Sequence, residues 1–593
     1  MTSDQITLVS IFALVVALLI WGRWRHDLVA FAGLMAAVVA GIVPADDAFS
    51  GFAHPATMTV ALVLVVSAGL MRTGAVNLLG RHLTRPEAPV ALHLARIGGV
   101  GALISAVMNN VTALALLMPL DIQTARKAGR APSLTLMAVA FATILGGMVT
   151  LIGTPPNLIV AGFRAEAGGT PFRMFDFAPV GGAVAVAGLA FICLVGWRLL
   201  PRRDDAEGAG NQSKMRQYVA ELVVPEDSRA ATLSRADLEE AAQKADATLV
   251  ALTRRGRRVY AMGGTATAEV GDMLLIHAVP SALEELRLEL GLSYPDGREA
   301  DAPMVAREGQ TMIEVVVSTQ SRLAGLTARQ LRLGQEHDSV LLGIIRRGRT
   351  IRSHLRATRI EPGDILLLLV PEAQAEAIVD WLHVLPLDGA EPVVKERSAR
   401  FAIGLFVLAI AVVATGWISM PVALGIVLGG YVLGGVLTAE ELYDHVDWPV
   451  IVLLGALMPL GMAMDTTGTS GLIAEGIARM TDGLAPWVAV AVLLVATMCL
   501  SDVLNNNATA ILAAPVGIRL AEATGTNPDT YLMAVAVGAS CAFLTPIGHQ
   551  NNTIVLGPGG YRFTDYWRMG LPLEVIVVAV GLPVLLLVWP LAG

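Results

Sequence analysis

Apolar residues along this chain come in long blocks, and the blocks fall into two groups. In the first third they cover residues 6–22, 28–43, 56–71, 133–163 and 177–200. In the last third they cover 401–417, 421–437, 449–466, 530–557 and 571–591. A membrane-crossing helix needs about 20 mostly apolar residues, so the blocks predict membrane spans. Each third also holds one longer apolar stretch with a polar break at its middle. These are 90–126, broken at Met108-Asn109-Asn110-Val111-Thr112, and 486–522, broken at Leu504-Asn505-Asn506-Asn507-Ala508. Between the thirds, residues 201–400 alternate short apolar strands with polar segments, the pattern of a soluble α+β insert.

Basic residues orient the blocks. Arg23 and Arg25 follow the first block, and Arg72, Arg81 and Arg85 follow the third. The intervening loop carries Asp46 and Asp47 and no Lys or Arg. The positive-inside rule makes these loops cytoplasmic, cytoplasmic and external, respectively. Arg126, Lys127 and Arg130 then place the far end of 90–126 in the cytoplasm as well. That segment is expected to enter the membrane and return, with its turn at Asn109–Thr112. Its arms, about 15–18 residues each, are short for a pair of full spans. Non-helical backbone at membrane depth is tolerated where protein buries it. Residues 201–400 are then expected in the cytoplasm, and the last third repeats the pattern upside down. One loop fits poorly: 438–448 should be cytoplasmic yet has no Lys or Arg.

Composition sharpens this division. Of 593 residues, 54% are hydrophobic and 16% charged, with a mean hydropathy of +0.63. Soluble domains carry about 25% charge. Lys and Arg number 12 in residues 1–200, 26 in 201–400 and only 4 in 401–593, so two membrane-like thirds flank a charged insert. A net charge of −8 argues against a nucleic-acid partner. Cys193, Cys499 and Cys541 form no CxxC pair, which disfavours a disulfide framework or zinc site. The first 27 residues lack a basic n-region and a small-residue cleavage site and read as a first span rather than a cleaved signal.

An internal repeat carries the chemistry. Ser105–Leu120 reads SAVMNNVTALALLMPL and Ser501–Val516 reads SDVLNNNATAILAAPV, with Ser, Val, the Asn pair and Pro matching 396 residues apart. Thr150–Val160 reads TLIGTPPNLIV and Thr545–Val555 reads TPIGHQNNTIV, matching 395 residues apart. Paired broken helices in thirds of opposite orientation are the signature of an inverted-repeat secondary transporter with its site at the midplane. Broken helices free backbone N–H groups for an anion and carbonyls for a cation such as Na⁺. Asn offers donors and acceptors to both. The residues expected to meet the anion are Asn109, Asn110, Val111, Thr154 and Asn157, with Asn505, Asn506, Asn507, His549 and Asn552. Neither break holds Lys or Arg, and Asp502 is the one acid beside a break. Asp502 is open to binding a cation or proton or to pairing with a helix end; His549 is open to substrate donation or to plain packing.

At these residues the chain resembles the divalent anion/sodium symporter family of the ion transporter superfamily. That family carries Ser-Asn-Thr at each hairpin tip, nine residues before a proline. Here Asn110 lies nine before Pro119 and Asn506 nine before Pro515, while Asn109, Val111, Asn505 and Asn507 depart from the flanking Ser and Thr. The departure leaves sulfate-like anions more open than dicarboxylates. The resemblance implies one Na⁺ site at Ser105, Asn109, Asn110 and Gly153 and a second at Ser501, Leu504, Asn506 and Gly548. It also implies a homodimer and an elevator-type movement of the hairpin-bearing elements.

The insert contains its own repeat, 218–286 and 311–378. Each copy runs strand, helix-like segment, strand–Arg-Arg-Gly-Arg–strand, then Gly-Asp and an apolar strand. The pattern resembles the TrkA-C domain (the RCK C-terminal domain) in tandem, on Gly271-Asp272-Met273-Leu274-Leu275 and Gly363-Asp364-Ile365-Leu366-Leu367. Such domains dimerise and often bind small regulatory ligands. Arg254, Arg255, Arg257, Arg258, Arg346, Arg347 and Arg349 are candidates for an anionic ligand or lipid headgroups, with a solvated hairpin turn as the plain alternative.

The expected fold is a polytopic α-helical membrane protein: membrane repeat 1 (1–200), TrkA-C-like domains (201–295 and 300–390) and membrane repeat 2 (398–593). The expected function is Na⁺-coupled symport of a small anion across the plasma (inner) membrane, sulfate first, then a dicarboxylate or sulfonate. Na⁺ is the coupling ion, and no organic cofactor is expected. A cation/proton antiporter using Asp502 and His549 is the alternative within transport. A TrkA-C-regulated channel lacks a TVGYG-like filter, and an enzyme lacks H-E-x-x-H, a P-loop or a nucleophile elbow.

Overall fold

The computed structural model describes the chain except residues 22–23, 74–86, 171, 202–217, 246, 255–256, 259–266, 279, 295–309, 319–320, 328–329, 332, 334–338, 347–348, 352–357, 388–395 and 593. In the first third, α1 (Ser3–Trp21), α2 (His26–Val39) and α3 (Pro55–Arg72) precede the broken stretch. That stretch is a helical hairpin, α4 (Val90–Ser105) and α5 (Asn110–Lys127). Then come α6 (Leu136–Gly147), an unwound segment, α7 (Pro155–Glu166) and α8 (Ala178–Phe191), extended by a π turn at Ile192–Gly196.

The insert holds α9 (Arg235–Lys244), α10 (Pro280–Leu290), α11 (Ala375–Leu382) and two antiparallel sheets. Strands β1 (Tyr218–Val223), β2 (Thr248–Arg254), β3 (Arg257–Arg258) and β4 (Met273–Ala278) form the first, in the order β1-β4-β2-β3. Strands β5 (Gln310–Val317), β6 (Val340–Arg346), β7 (Arg349–Thr350), β8 (Ile365–Pro371) and β9 (Val384–Pro386) form the second, in the order β7-β6-β8-β5-β9. The registers correspond: Arg254 faces Arg257 as Arg346 faces Arg349, and both β2 and β6 slip by one residue in mid-strand. The two expected Arg-Arg-Gly-Arg hairpins are therefore present, with Gly256 and Gly348 outside the described residues.

The last third holds α12 (Glu396–Ala414), α13 (Met420–Leu433), α14 (Ala439–Asp444), α15 (Trp448–Thr466) and α16 (Thr469–Met480). A second hairpin follows, α17 (Trp487–Val503) and α18 (Asn506–Thr524), then α19 (Pro528–Ser540), an unwound segment, α20 (Gln550–Leu556) and α21 (Tyr566–Val588). Among the described residues, five helical stretches have the length and apolarity to cross a membrane: Ser3–Trp21, Ala45–Arg72, Ala178–Leu199, Trp448–Thr466 and Phe563–Val588. The first arms of the hairpins, Val90–Ser105 and Trp487–Val503, are shorter.

Two differences from the sequence reading stand out. The first hairpin turns at Ala106–Asn109, earlier than Asn109–Thr112, because the Asn109 side chain caps the second arm by accepting from Val111 N at 2.9 Å. Helices α14 and α16 were not foreseen. The first is a six-residue segment started by a capping box, Thr438 and Glu441, and Arg72 pairs with Glu441 there. The second is amphipathic and too short to register as an apolar block.

Packing brings the two outer thirds together. Every residue of α6 is buried, and α6 lies against the first hairpin's first arm as α19 lies against the second's. The short helices after the unwound segments cross over. Helix α7 packs on α18 and α19, and α20 packs on α5 and α6. Each hairpin is thus covered by a piece of the opposite third. Two aromatic contacts seal one crossing: the Phe141 and Phe543 rings meet edge-on at 4.9 Å, and Tyr561 OH reaches Ser133 O at 2.7 Å.

Candidate substrate and cation site

The two hairpins end in the same local construction. Asn109 caps α5, and Asn505 caps α18 by accepting from Ala508 N at 2.8 Å. Both caps leave the first N–H groups of the second arm at the turn. One residue on, an Asn reaches back across the turn. Ser105 Oγ donates to Asn110 Oδ1 at 2.7 Å, and Ser501 Oγ to Asn506 Oδ1 at 3.0 Å. All four of these side chains are buried.

The unwound segments meet the turns in matching contacts. Thr150 Oγ1 donates to Ala106 O, and Thr545 Oγ1 to Asp502 O. Asn157 Nδ2 donates to Thr150 O at 2.8 Å, and Asn552 Nδ2 to Thr545 O at 2.9 Å. A methyl added at Gly153 would lie 2.9 Å from Ser105 O; one at Gly548 would lie 2.6 Å from Ser501 O. Only glycine allows these close approaches of backbone to backbone. Ser105, Asn110 and Gly153 are therefore brought together, as are Ser501, Asn506 and Gly548. Neutral oxygens from hydroxyl, carboxamide and carbonyl groups make a donor set suited to Na⁺.

The remaining expected residues sit around this frame. Asn109 and Gly153 line one small cavity with Val60, Val63 and Leu64 of α3. Thr154 and His549 hold matching N-cap positions, where Thr154 makes no side-chain cap and His549 accepts from Asn551 N. Val111 and Asn507 lie half-buried in the first turns of the second arms, and Leu504 is buried at the end of α17. In the insert, Arg254 and Arg346 are engaged by acids of their own domains, Asp272 with Glu269 and Asp364 with Glu361. Arg255 and Arg347 lie outside the described residues, as do the side chains of Arg257, Arg258 and Arg349.

The matching fails at His549, and the two thirds touch there. His549 Nε2 lies 3.2 Å from Asn110 Nδ2. Asn551 N donates to His549 Nδ1 at 3.0 Å, so in the neutral ring the proton sits on Nε2. That N–H then faces the NH₂ of Asn110, because Ser105 Oγ already holds the carboxamide oxygen. Asn551 Nδ2 adds bonds to Asn110 O at 3.1 Å and Thr143 Oγ1 at 2.8 Å, while its buried Oδ1 has no partner among the described residues. The first hairpin tip is thus tied to the second unwound segment.

Three residues escaped the sequence reading. Asn551 stands opposite Pro156 in the repeat and so drew no attention. Thr143 lies in an apolar helix with no motif around it. Glu574 left a usable signal, as an acid inside an apolar 23-residue helix. Its carboxyl faces that of Asp502, and Asp502 meets the second unwound segment: Leu544 N donates to Asp502 Oδ1 at 2.9 Å.

Comparison with known proteins decides the family. The citrate transporter family matches this chain over residues 16–516 and again over 486–592. The chain belongs to that family. An uncharacterized transporter of Synechocystis is 30% identical over 96% of this chain and 94% of its own length. Sodium/sulfate cotransporter 2 of Chlamydomonas reinhardtii is 23% identical over 46% of this chain and 32% of its own. A sodium-dependent dicarboxylate transporter of Staphylococcus saprophyticus is 27% identical over 26% of this chain and 30% of its own. This citrate transporter family member is an integral membrane transporter of the ion transporter superfamily. The family's name does not fix its substrate, because relatives with sulfate and with dicarboxylate in their names both align to it.

Proposed function

We propose that this protein is a secondary transporter that carries a small anion with Na⁺ by alternating access. The observation that supports it best is the pair of matching Ser–Asn–Gly clusters, each built from a hairpin turn and an unwound segment. Ser105, Asn110 and Gly153 hold one Na⁺; Ser501, Asn506 and Gly548 hold the other, with the Asn109 and Leu504 backbones beside them. The anion sits between the turns, against the capped first turns of α5 and α18, where free N–H groups and helix dipoles favour negative charge. Bound Na⁺ offsets the absence of Lys and Arg there. Thr154, Asn157, His549, Asn551 and Asn552 line or brace the same place.

Sulfate is the leading substrate, because the Asn-rich tips lack the Ser and Thr that hold carboxylates in relatives; a dicarboxylate or sulfonate is second. The hairpins and their covering helices move together as an elevator within a homodimer. The insert, TrkA-C-like, faces the cytoplasm and regulates transport. Uptake of labelled anions into proteoliposomes, with and without Na⁺, tests the reading. Anion flux that ignores Na⁺ removes the coupling. A second reading, cation/proton antiport, draws on Asp502 and Glu574 facing each other among apolar helices. Proton release on Na⁺ addition distinguishes it from symport.

A further inference from the structure

The two insert domains are copies spaced 92 residues apart, and each ties the same knot. Arg254 donates to Asp272 through Nε and Nη2, both at 2.8 Å, to Glu269 Oε1 at 2.6 Å and to Thr267 O at 3.0 Å. Arg346 donates to Asp364 at 2.8 and 2.7 Å, to Glu361 Oε1 at 2.8 Å and to Arg359 O at 2.6 Å. Each knot closes on a glycine of positive φ, Gly271 at 86° and Gly363 at 84°. The two turns therefore have the same shape.

Their surroundings differ. Among the described residues, a methyl at Gly271 would meet nothing within 4 Å. One at Gly363 would lie 2.9 Å from Thr553 O, and one at Gly557 would run into the Gly363 carbonyl oxygen. The second turn thus touches the far end of α20 backbone to backbone. Because the open copy holds the same shape, the turn is formed before it docks, and docking costs little ordering.

Helix α20 begins beside His549, Asn551 and Asn552 and ends at this contact. Its seven residues span only about 10 Å. The same insert domain also reaches the first hairpin. Glu314 on β5, almost wholly buried, faces Arg126 at 4.0 Å, and Arg126 lies in the last turn of α5, whose first residue is Asn110. One domain therefore holds the outer ends of two helices whose inner ends meet at Asn110 and His549. Neither hold is rigid: the ion pair is long, at 4.0 Å, with a partly exposed arginine, and the glycine contact is small. Such a contact can be made and broken within a transport cycle.

We propose that the second insert domain is a latch on the transport elements. Docked, its Glu361–Asp364 turn fixes α20 and α5 in the arrangement seen here; undocked, it lets them move. The proposal rests on the reading that these helices move during transport. Gly557→Ala isolates the contact. Gly557 has φ −69°, where alanine is unstrained, and the three nearest atoms to the added methyl all belong to Gly363. Gly271→Ala strains the equivalent free turn and serves as the control.

Amide hydrogen exchange of Gln550–Leu556 in the full-length protein reads the latch without any substrate. Gly557→Ala is expected to speed it about tenfold while Gly271→Ala leaves it unchanged. Unchanged exchange in Gly557→Ala overturns the latch. In proteoliposomes, Gly557→Ala is expected to raise the initial uptake rate several-fold. A disulfide between Pro362→Cys and Leu556→Cys, which line the contact, in a Cys499→Ser background, is expected to stop uptake until reduced. Full uptake in the oxidised protein also overturns the latch. A wild-type protein that moves no anion defeats the transport reading alone, since exchange still decides the latch.

Discussion

Gly548→Ala puts a number on the second cation site. The added Cβ would lie 2.6 Å from Ser501 O, 2.9 Å from Ala542 Cβ and 3.0 Å from the Asp502 Cα. Ordinary contact begins at 3.4 Å, and every one of these neighbours is fixed to the backbone. No rotamer can relieve the clash, so Ser501 O and Gly548 must part by about 0.8 Å, at a cost on the order of 1–3 kcal/mol. Ser501 O is a proposed Na⁺ ligand, and that displacement takes it out of contact range. Each 1.4 kcal/mol is about tenfold in affinity, so the Na⁺ half-saturation of uptake is expected to rise roughly 5–150-fold. The KM for the anion at saturating Na⁺ should change far less. The assay is initial uptake into proteoliposomes across a Na⁺ series. Gly182→Ala, where an added methyl meets nothing within 4 Å among the described residues, should behave as wild type. Unchanged Na⁺ half-saturation in a folded Gly548→Ala protein would refute the placement of that ion.

Other expectations follow from single contacts. Ser105→Ala removes a 2.7 Å bond to a buried carboxamide, worth about 1 kcal/mol net, and should raise Na⁺ half-saturation about fivefold. Asn551→Ala leaves Asn110 O and Thr143 Oγ1 without that donor and should lower thermal stability and anion affinity together; Asn551→Ser should restore part of both if the donor matters. Arg346→Ala strands the buried carboxylate of Asp364 and should destabilise the second insert domain by about 3–5 kcal/mol, read by limited proteolysis. Arg346→Lys should not rescue it, because one ammonium cannot replace the two-pronged guanidinium. In the first insert domain, burial alone would raise the Asp272 carboxyl, but Arg254 and the Glu269 N–H hold it below its ordinary value. Its contribution is therefore complete above about pH 4 and is lost as pH falls further through the lowered value; hydrogen exchange in β4 should rise over that range.

Much of the architecture was legible because it rests on long-range patterns. Apolar blocks predicted the helices, and the Asn pairs with their trailing prolines located both hairpins. The repeat at Gly153 and Gly548 pointed to the unwound segments. What escaped was local or cross-chain. The turn of the first hairpin moved to Ala106–Asn109 because a cap depends on one side chain, and apolar periodicity is blind to it. Helix α16 was hidden by its mixed composition. Thr143 and Asn551 gain meaning only when α20 crosses onto α6, a contact no single segment encodes. The arginines after β2 and β6 read as ligand-binding candidates because charge was visible in the sequence and partners were not; Asp272 and Asp364 lie 18 residues away along the chain.

The central claim is coupling of anion movement to Na⁺ through two like sites. The direct measurement is labelled sulfate uptake into proteoliposomes under an inward Na⁺ gradient, for wild type, Asn110→Ala and Asn506→Ala. The account predicts uptake that requires Na⁺ and, in each variant, a Na⁺ dependence shifted to higher concentration. Uptake of sulfate or any other small anion that is independent of Na⁺, or unshifted in both variants, would contradict it.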